Sequence, residues 1–273
     1  MIVIVAVLLI LALYLFLIFP TIRKHPDREL LKGLRIAHRG LHDIKKGIPE
    51  NSISAHIEAV KKGYAIENDI HITADGEVVV FHDDTLKRVC GVDLKIEELT
   101  LSEIKKFSLL GTDEKIPTLK EVLDVVDGKV PLLIEFKSLS KKTSDRLCPA
   151  ANKILSEYKG KYFIQSFYPF VVGWHKKNRK DILRGQLSGG FYKESLVKRL
   201  LGQMLFNFIA RPDFVSYEWE TRTAFARRLN TLFGALPVGW TFHAQEQITL
   251  CQKDFEAFIF EDFEAVKQEK PPF

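Results

Sequence analysis

Hydrophobic positions along this chain fall into distinct patterns, and each predicts a different element. Residues 1–19 are apolar and carry no charge. From residue 34 onward, short apolar runs alternate with stretches whose apolar residues recur every three or four positions. The short runs read as buried strands, and the longer stretches as helices with one core-facing stripe. Strands are predicted at residues 34–37, 65–72, 130–136, 162–166, 182–187, 214–217, 236–241 and 255–260, with a further run at 78–81. Between them, Asn51 and Ser52 open a helix that Gly63 stops, with Ile53, Ile57 and Val60 on one face. Thr100 with Glu103 and Thr118 with Glu121 have capping-box spacing, and the second precedes the stripe Leu119, Val122, Leu123 and Val126. Longer helices are expected over residues 194–210 and 221–233.

Eight parallel-strand candidates separated by helices, over about 240 residues, match an α/β (β/α)₈ TIM barrel. The 78–81 run then becomes an antiparallel hairpin excursion after the second strand, turned by Ala74-Asp75-Gly76-Glu77. A doubly wound open sheet needs fewer strands, and the chain has no glycine-rich dinucleotide turn. Ahead of the barrel, nineteen uncharged residues would make a helix of about 28 Å, close to the roughly 30 Å hydrocarbon core of a bilayer. No Lys or Arg precedes them and no small-x-small cleavage site follows Pro20, which argues against a secretory signal. Residues 1–20 are therefore expected to be a transmembrane helix, 21–33 a juxtamembrane linker and 34–273 one catalytic domain. Arg23, Lys24, Arg28, Lys32 and Arg35 follow the apolar run, so the domain is expected on the cytoplasmic side of the cell membrane, on a single-pass anchor.

Composition adds little that changes this picture. Three widely spaced cysteines, Cys90, Cys148 and Cys251, form neither a disulfide framework nor a zinc motif. A net charge of +5 suits an anionic membrane surface or a phosphate-bearing substrate. Without a basic stripe interleaved with aromatics, it does not point to nucleic acid.

Charged residues collect where the predicted strands end. His38 and Arg39 end the first strand. Glu67 and Asp69 share one side of the second, and His82 ends the excursion from it. Glu135 and Lys137 end the third. In a barrel those ends form the active rim. Three carboxylates without a cysteine suit one hard divalent cation, Mg²⁺ or Ca²⁺. Arg39 and Lys137 suit a phosphate, and two histidines titrating near neutrality suit proton transfer. Together these groups describe phosphodiester cleavage. Phe167 and Trp240 also end strands at this rim, where they either shape an alcohol pocket or fill core. His71 lies on the side of Glu67 and Asp69, but about 3.3 Å of rise per residue carries it away from the rim, so it is read as structural. His42, His56, His175 and His243 have no partner motif and read as surface or packing residues. Asp83 and Asp84 read as caps of the next segment.

At these positions the chain resembles the glycerophosphodiester phosphodiesterases. The motifs are His38-Arg39-Gly40, Pro49-Glu50-Asn51-Ser52, Glu67-Asn68-Asp69, Asp75-Gly76, His82-Asp83 and Glu135-Phe136-Lys137, with looser matches at Gln165-Ser166-Phe167 and Trp240-Thr241. The resemblance implies a metal-dependent TIM barrel that hydrolyses glycerophosphodiesters to an alcohol and sn-glycerol 3-phosphate. It implies Glu67, Asp69 and Glu135 as metal ligands, His38 and His82 as base and acid, and Arg39 and Lys137 as phosphate contacts. Glu50 is similar to a family residue near the metal and the substrate hydroxyls. A cyclic phosphate, formed by attack of the substrate's own glycerol hydroxyl, is implied in the same way. Two other readings stay open: a lysophospholipase D acting on membrane lysolipids, and a barrel that binds a phospholipid headgroup without cleaving it.

Overall fold

A computed structural model describes residues 1–138, 140–190 and 195–267. Its nine strands are β1 (Arg35–Ala37), β2 (Ala65–Ile72), β3 (Val78–Val80), β4 (Leu132–Phe136), β5 (Tyr162–Ser166), β6 (Arg184–Ser188), β7 (Phe214–Glu218), β8 (Leu236–Phe242) and β9 (Ala257–Phe260). All pairings are parallel except β2 with β3, and β1 closes the sheet by pairing with both β9 and β2. The result is the expected eight-stranded parallel barrel with an antiparallel excursion from β2.

Alternation along each strand divides the apolar residues between two layers. Inside the barrel pack Ile36, Ala65, Leu133, Phe163, Phe214, Leu236, Val238 and Ile259. The intervening Ile66, Ile134, Ile164 and Val215 face the helices, whose Leu119, Val122, Leu147 and Ala151 cover them. Both predicted capping boxes form, at Thr100 and at Thr118. The helix expected over residues 194–210 is instead two pieces, Leu196–Gly202 and Asn207–Ala210. Met204 between them has a φ of +57°, which a continuous right-handed helix cannot contain. Glu194, where the sequence places its start, lies outside the described residues.

The amino-terminal segment departs most from expectation. Its helix covers Ile2–Ile18 and stops at Phe19, whose extended backbone is what a residue before proline adopts. Seventeen residues give a helix of about 26 Å. Among the described residues no helix is long and apolar enough to cross a membrane, so the expected spanning helix is not found. Residues 21–33, expected as a juxtamembrane linker, make specific contacts with the barrel. Arg23 forks onto Asp213 at 3.0 and 2.8 Å, Arg28 donates to the Asp213 carbonyl, and Leu31 is wholly buried under the barrel. Asn207 donates to the carbonyl of Ile18, and Arg211 to those of Phe16 and Phe19. These partners lie just before β7, so the carboxyl end of the helix and the linker are packed on the amino-terminal ends of the strands, opposite the active rim, while the rest of the helix is exposed.

Candidate active site

The carboxyl ends of β1, β2 and β4 bring the predicted charged groups together. Ile70 pairs with Phe136 and Asp69 with Glu135, so the register sets the β2 and β4 carboxylates side by side. One ligand oxygen each from Glu67, Asp69 and Glu135 lie within 4.8 Å of one another. All three residues are buried. Lys137 Nζ lies 2.7 Å from Glu135 Oε1 and 3.0 Å from Asp69 Oδ1, and Arg39 Nε lies 3.6 Å from Asp69 Oδ2.

Burial, then the neighbouring charges of Asp69 and Glu135, raises the Glu67 carboxyl well above its usual range. Glu135 is pushed up to about 7, again first by burial, with Lys137 resisting. Burial also acts to raise Asp69, but Lys137, His82 and Arg39 outweigh it and hold that carboxyl ionised. Two cations thus face three carboxylates. Asp69 Oδ1 is buried without a hydrogen bond, although Lys137 Nζ is near it. A buried unsatisfied carboxylate oxygen in an all-oxygen ligand set fits a hard divalent cation.

Both predicted histidines reach the site, each with its Nδ1 held by a carboxylate. His38 Nδ1 is 2.5 Å from Glu261 Oε2, and His82 Nδ1 is 2.6 Å from Asp83 Oδ1. That leaves Nε2 of each ring for the reaction. Burial lowers both imidazoles, against the pull of Glu261 on His38 and of Asp69 on His82. Glu261, just past β9, is held below its usual carboxylate range despite its own burial, because His38 hydrogen-bonds to it and His42 lies close by. Asp83 is in turn fixed by Arg88 at 2.8 and 2.9 Å, so it orients a histidine rather than simply capping the next segment. His71 is structural as expected, its Nε2 3.2 Å from the carbonyl of His82.

Glu50 does not line the cavity. It joins Arg39 at 2.8 Å to Arg88 at 2.7 Å, tying the loop after β1 to the loop after β3. Asn51 Nδ2 donates to Asp69 Oδ2 at 2.9 Å. The cavity itself holds about 320 Å³, and Phe167 and Trp240 line it, their rings meeting edge to face at 5.9 Å. The aromatic pair therefore forms pocket wall, and Trp240 also packs against the barrel interior. Two histidines read as ordinary also belong here. His42 Nε2 lies 3.7 Å from Glu261, and His243 with Glu261 and Asp262 forms a second group of closely spaced donors. Their signal in sequence was absent, because Glu261 sits more than 200 residues from His38 and carries no local motif.

A glycerophosphodiester phosphodiesterase of Caldanaerobacter subterraneus is 40% identical over 116 residues, 40% of this chain and 46% of that protein. A human lysophospholipase D is 33% identical over 137 residues, 45% of this chain and 42% of its own length. The chain spans about half the length of the curated relatives it matches. Among solved structures, a Thermotoga maritima glycerophosphodiester phosphodiesterase superposes with a TM-score of 0.61 at 26% identity, covering 83% of this chain and 94% of that one. An Oleispira antarctica phosphodiesterase, solved with the product sn-glycerol-3-phosphate, shares the fold at a TM-score of 0.68 and 22% identity, over 84% of this chain and 93% of its own. The glycerophosphoryl diester phosphodiesterase family matches residues 38–259, a range that spans most of the barrel. The chain belongs to the glycerophosphoryl diester phosphodiesterase family.

Proposed function

We propose that this protein is a metal-dependent phosphoric diester hydrolase that converts glycerophosphodiesters to an alcohol and sn-glycerol 3-phosphate. The observation that carries the reading is the meeting of Glu67, Asp69 and Glu135 with two carboxylate-held histidines in one cavity. Glu67, Asp69 and Glu135 would hold one divalent cation, Mg²⁺ or Ca²⁺, which when bound stabilises negative charge on the phosphoryl oxygens. Arg39 and Lys137 bind the same phosphate, the one as a fork and the other as a point charge. Glu50 keeps Arg39 in place. His38 and His82 divide the proton work. One ring, neutral at Nε2, takes the proton of the substrate's glycerol hydroxyl as its oxygen attacks phosphorus, while the other, protonated, gives one to the departing alcohol oxygen; water then opens the cyclic phosphate with the two roles exchanged, and sn-glycerol 3-phosphate leaves. Glu261 and Asp83 fix each ring's Nδ1–H and stabilise the imidazolium that forms.

Release of sn-glycerol 3-phosphate should stop with EDTA and return with Mg²⁺ or Ca²⁺. Glu67→Ala and His38→Ala should each lower turnover on the order of 10²-fold or more. Normal turnover in both variants would overturn the assignment.

The kinship with a lysophospholipase D supports a second substrate class, lysolipids, at the same site. A panel of glycerophosphodiesters against lysolipids separates the two. Residence at the cell membrane, with the catalytic domain on the cytoplasmic side, belongs to this proposal. Its supports are the apolar, exposed Ile2–Ile18 helix and the basic residues that follow it. Flotation of the full chain with anionic liposomes tests it, and recovery in the soluble fraction would contradict it.

A further inference from the structure

The far wall of the cavity is built differently from the catalytic wall. Around the barrel the strands run β1, β2, β4, β5, β6, β7, β8, β9. In a ring of eight, β7 stands across from β2, and β8 across from β4. Glu67 and Asp69 on β2 thus face Glu218 at the end of β7, and Glu135 on β4 faces Trp240 on β8. Glu220, in the short turn after β7, lines the same wall, and Phe167, past β5, reaches it through its edge-to-face contact with Trp240.

Two carboxylates and two aromatic rings therefore stand opposite the phosphate-binding cations. Glu218 Oε2 accepts from Gly190 N at 3.2 Å and Thr221 Oγ1 at 3.1 Å, which fixes the side chain in the wall. Among the described residues no Lys or Arg forms an ion pair with Glu218 or Glu220. Burial, and then the charge of Glu218, raises the Glu220 carboxyl, against the opposing pull of His243. Trp240 and Phe167 offer aromatic surface beside them. Carboxylates next to aromatic faces recognise ammonium groups, by charge and by cation–π attraction.

We propose that Glu218, Glu220, Trp240 and Phe167 form a subsite for a cationic alcohol, so that the enzyme prefers diesters whose leaving group carries an ammonium, choline or ethanolamine, over those releasing glycerol or inositol. The proposal rests on the reading of the site as a glycerophosphodiester phosphodiesterase and specifies the alcohol. The phosphate at Arg39 and Lys137 places the ester oxygen on the catalytic side. An alcohol leaving from it extends toward β7 and β8, where its positive charge meets the two acids. Neutral polyols would gain hydrogen bonds from the same carboxylates but no charge attraction, and a second anionic group would be repelled.

The test compares kcat/KM for glycerophosphocholine and glycerophosphoethanolamine with that for glycerophosphoglycerol and glycerophosphoinositol, in the full chain. The ammonium-bearing diesters should lead by at least tenfold. Glu218→Gln with Glu220→Gln should shrink that ratio at least tenfold, and Trp240→Leu should shrink it for choline more than for ethanolamine. A ratio near one in the unaltered protein, or one the double variant leaves within twofold, overturns the subsite. Should the variants fail to fold, calorimetry on the unaltered chain decides. Choline should bind at least tenfold more tightly than its uncharged isostere 3,3-dimethylbutan-1-ol, and equal affinities count against the subsite. Absence of hydrolysis of every diester with every metal would defeat the enzymatic reading instead, while the choline comparison would still judge the subsite.

Discussion

At the residue scale, each histidine depends on a carboxylate that gives it one tautomer. Glu261→Gln removes the charge opposite His38 Nδ1 while keeping the side chain's size, and should lower kcat roughly 10²–10⁴-fold with KM little changed. A steady-state comparison checks this, and an unchanged kcat would demote Glu261 to a packing role. Metal affinity should depend on pH, because a cation needs carboxylates that the protein alone holds partly protonated. Glu67 is raised well above its usual range and Glu135 to about 7, so acid competes with the metal. Below about pH 7 the apparent affinity should fall about tenfold per pH unit for each proton displaced, as calorimetric titrations with Mn²⁺ at pH 6, 7 and 8 would read. Glu67, Asp69, Glu135, His38 and His82 were legible in sequence because period-2 spacing and strand ends assign them to one rim. Glu261 was not, since its contact with His38 exists only once β9 closes against β1.

At the element scale, two turns aim the catalytic groups. Beyond β1, Arg39 and Gly40 both take positive φ, +56° and +81°, which turns the chain so that Arg39 N donates to Glu67 Oε2. A Cβ on Gly40 would lie 2.8 Å from Ala55 Cβ and 2.9 Å from the Ala55 carbonyl carbon. Gly40→Ala should therefore destabilise the protein by about 1–3 kcal/mol, measurable by urea unfolding. Equal stability would mean that the turn relaxes freely. Beyond β2, Gly76 at φ +91° allows the tight return that sets Phe81 N on Asp69 O at 2.9 Å, and so delivers His82. The second turn was readable from Asp75-Gly76, whereas His38-Arg39-Gly40 was readable only as the end of a strand. The break between Leu196–Gly202 and Asn207–Ala210 was not, because its residues keep a helical apolar pattern while tertiary packing buries Met204 in the turn.

At the scale of the whole molecule, the barrel is closed at one end and chemically active at the other. The segment predicted as a juxtamembrane linker packs on the base through Arg23, Arg28 and Leu31, and periodicity does not reveal those contacts. The framework also carries buried histidines away from the metal carboxylates. His56 and His175 are each held near pKa 4 by burial, which opposes their charged form. Their folded values lie below the unfolded value of about 6.5. The stability they contribute is therefore full above about pH 6.5 and lost as pH falls toward 4, about 3 kcal/mol for each. Glu67 and Glu135, raised in the folded state, act in the opposite direction and offset part of the loss. Urea unfolding should show lower stability at pH 5 than at pH 7, with a shallower pH dependence in a folded His56→Gln variant. An identical slope would remove His56 from that account. The central claim is that side chains from β2 and β4 converge on one ion. Anomalous diffraction from crystals grown with Mn²⁺ tests it directly: the account predicts a peak bounded by Glu67, Asp69 and Glu135, and density only at His243, Glu261 and Asp262, or nowhere, would contradict it.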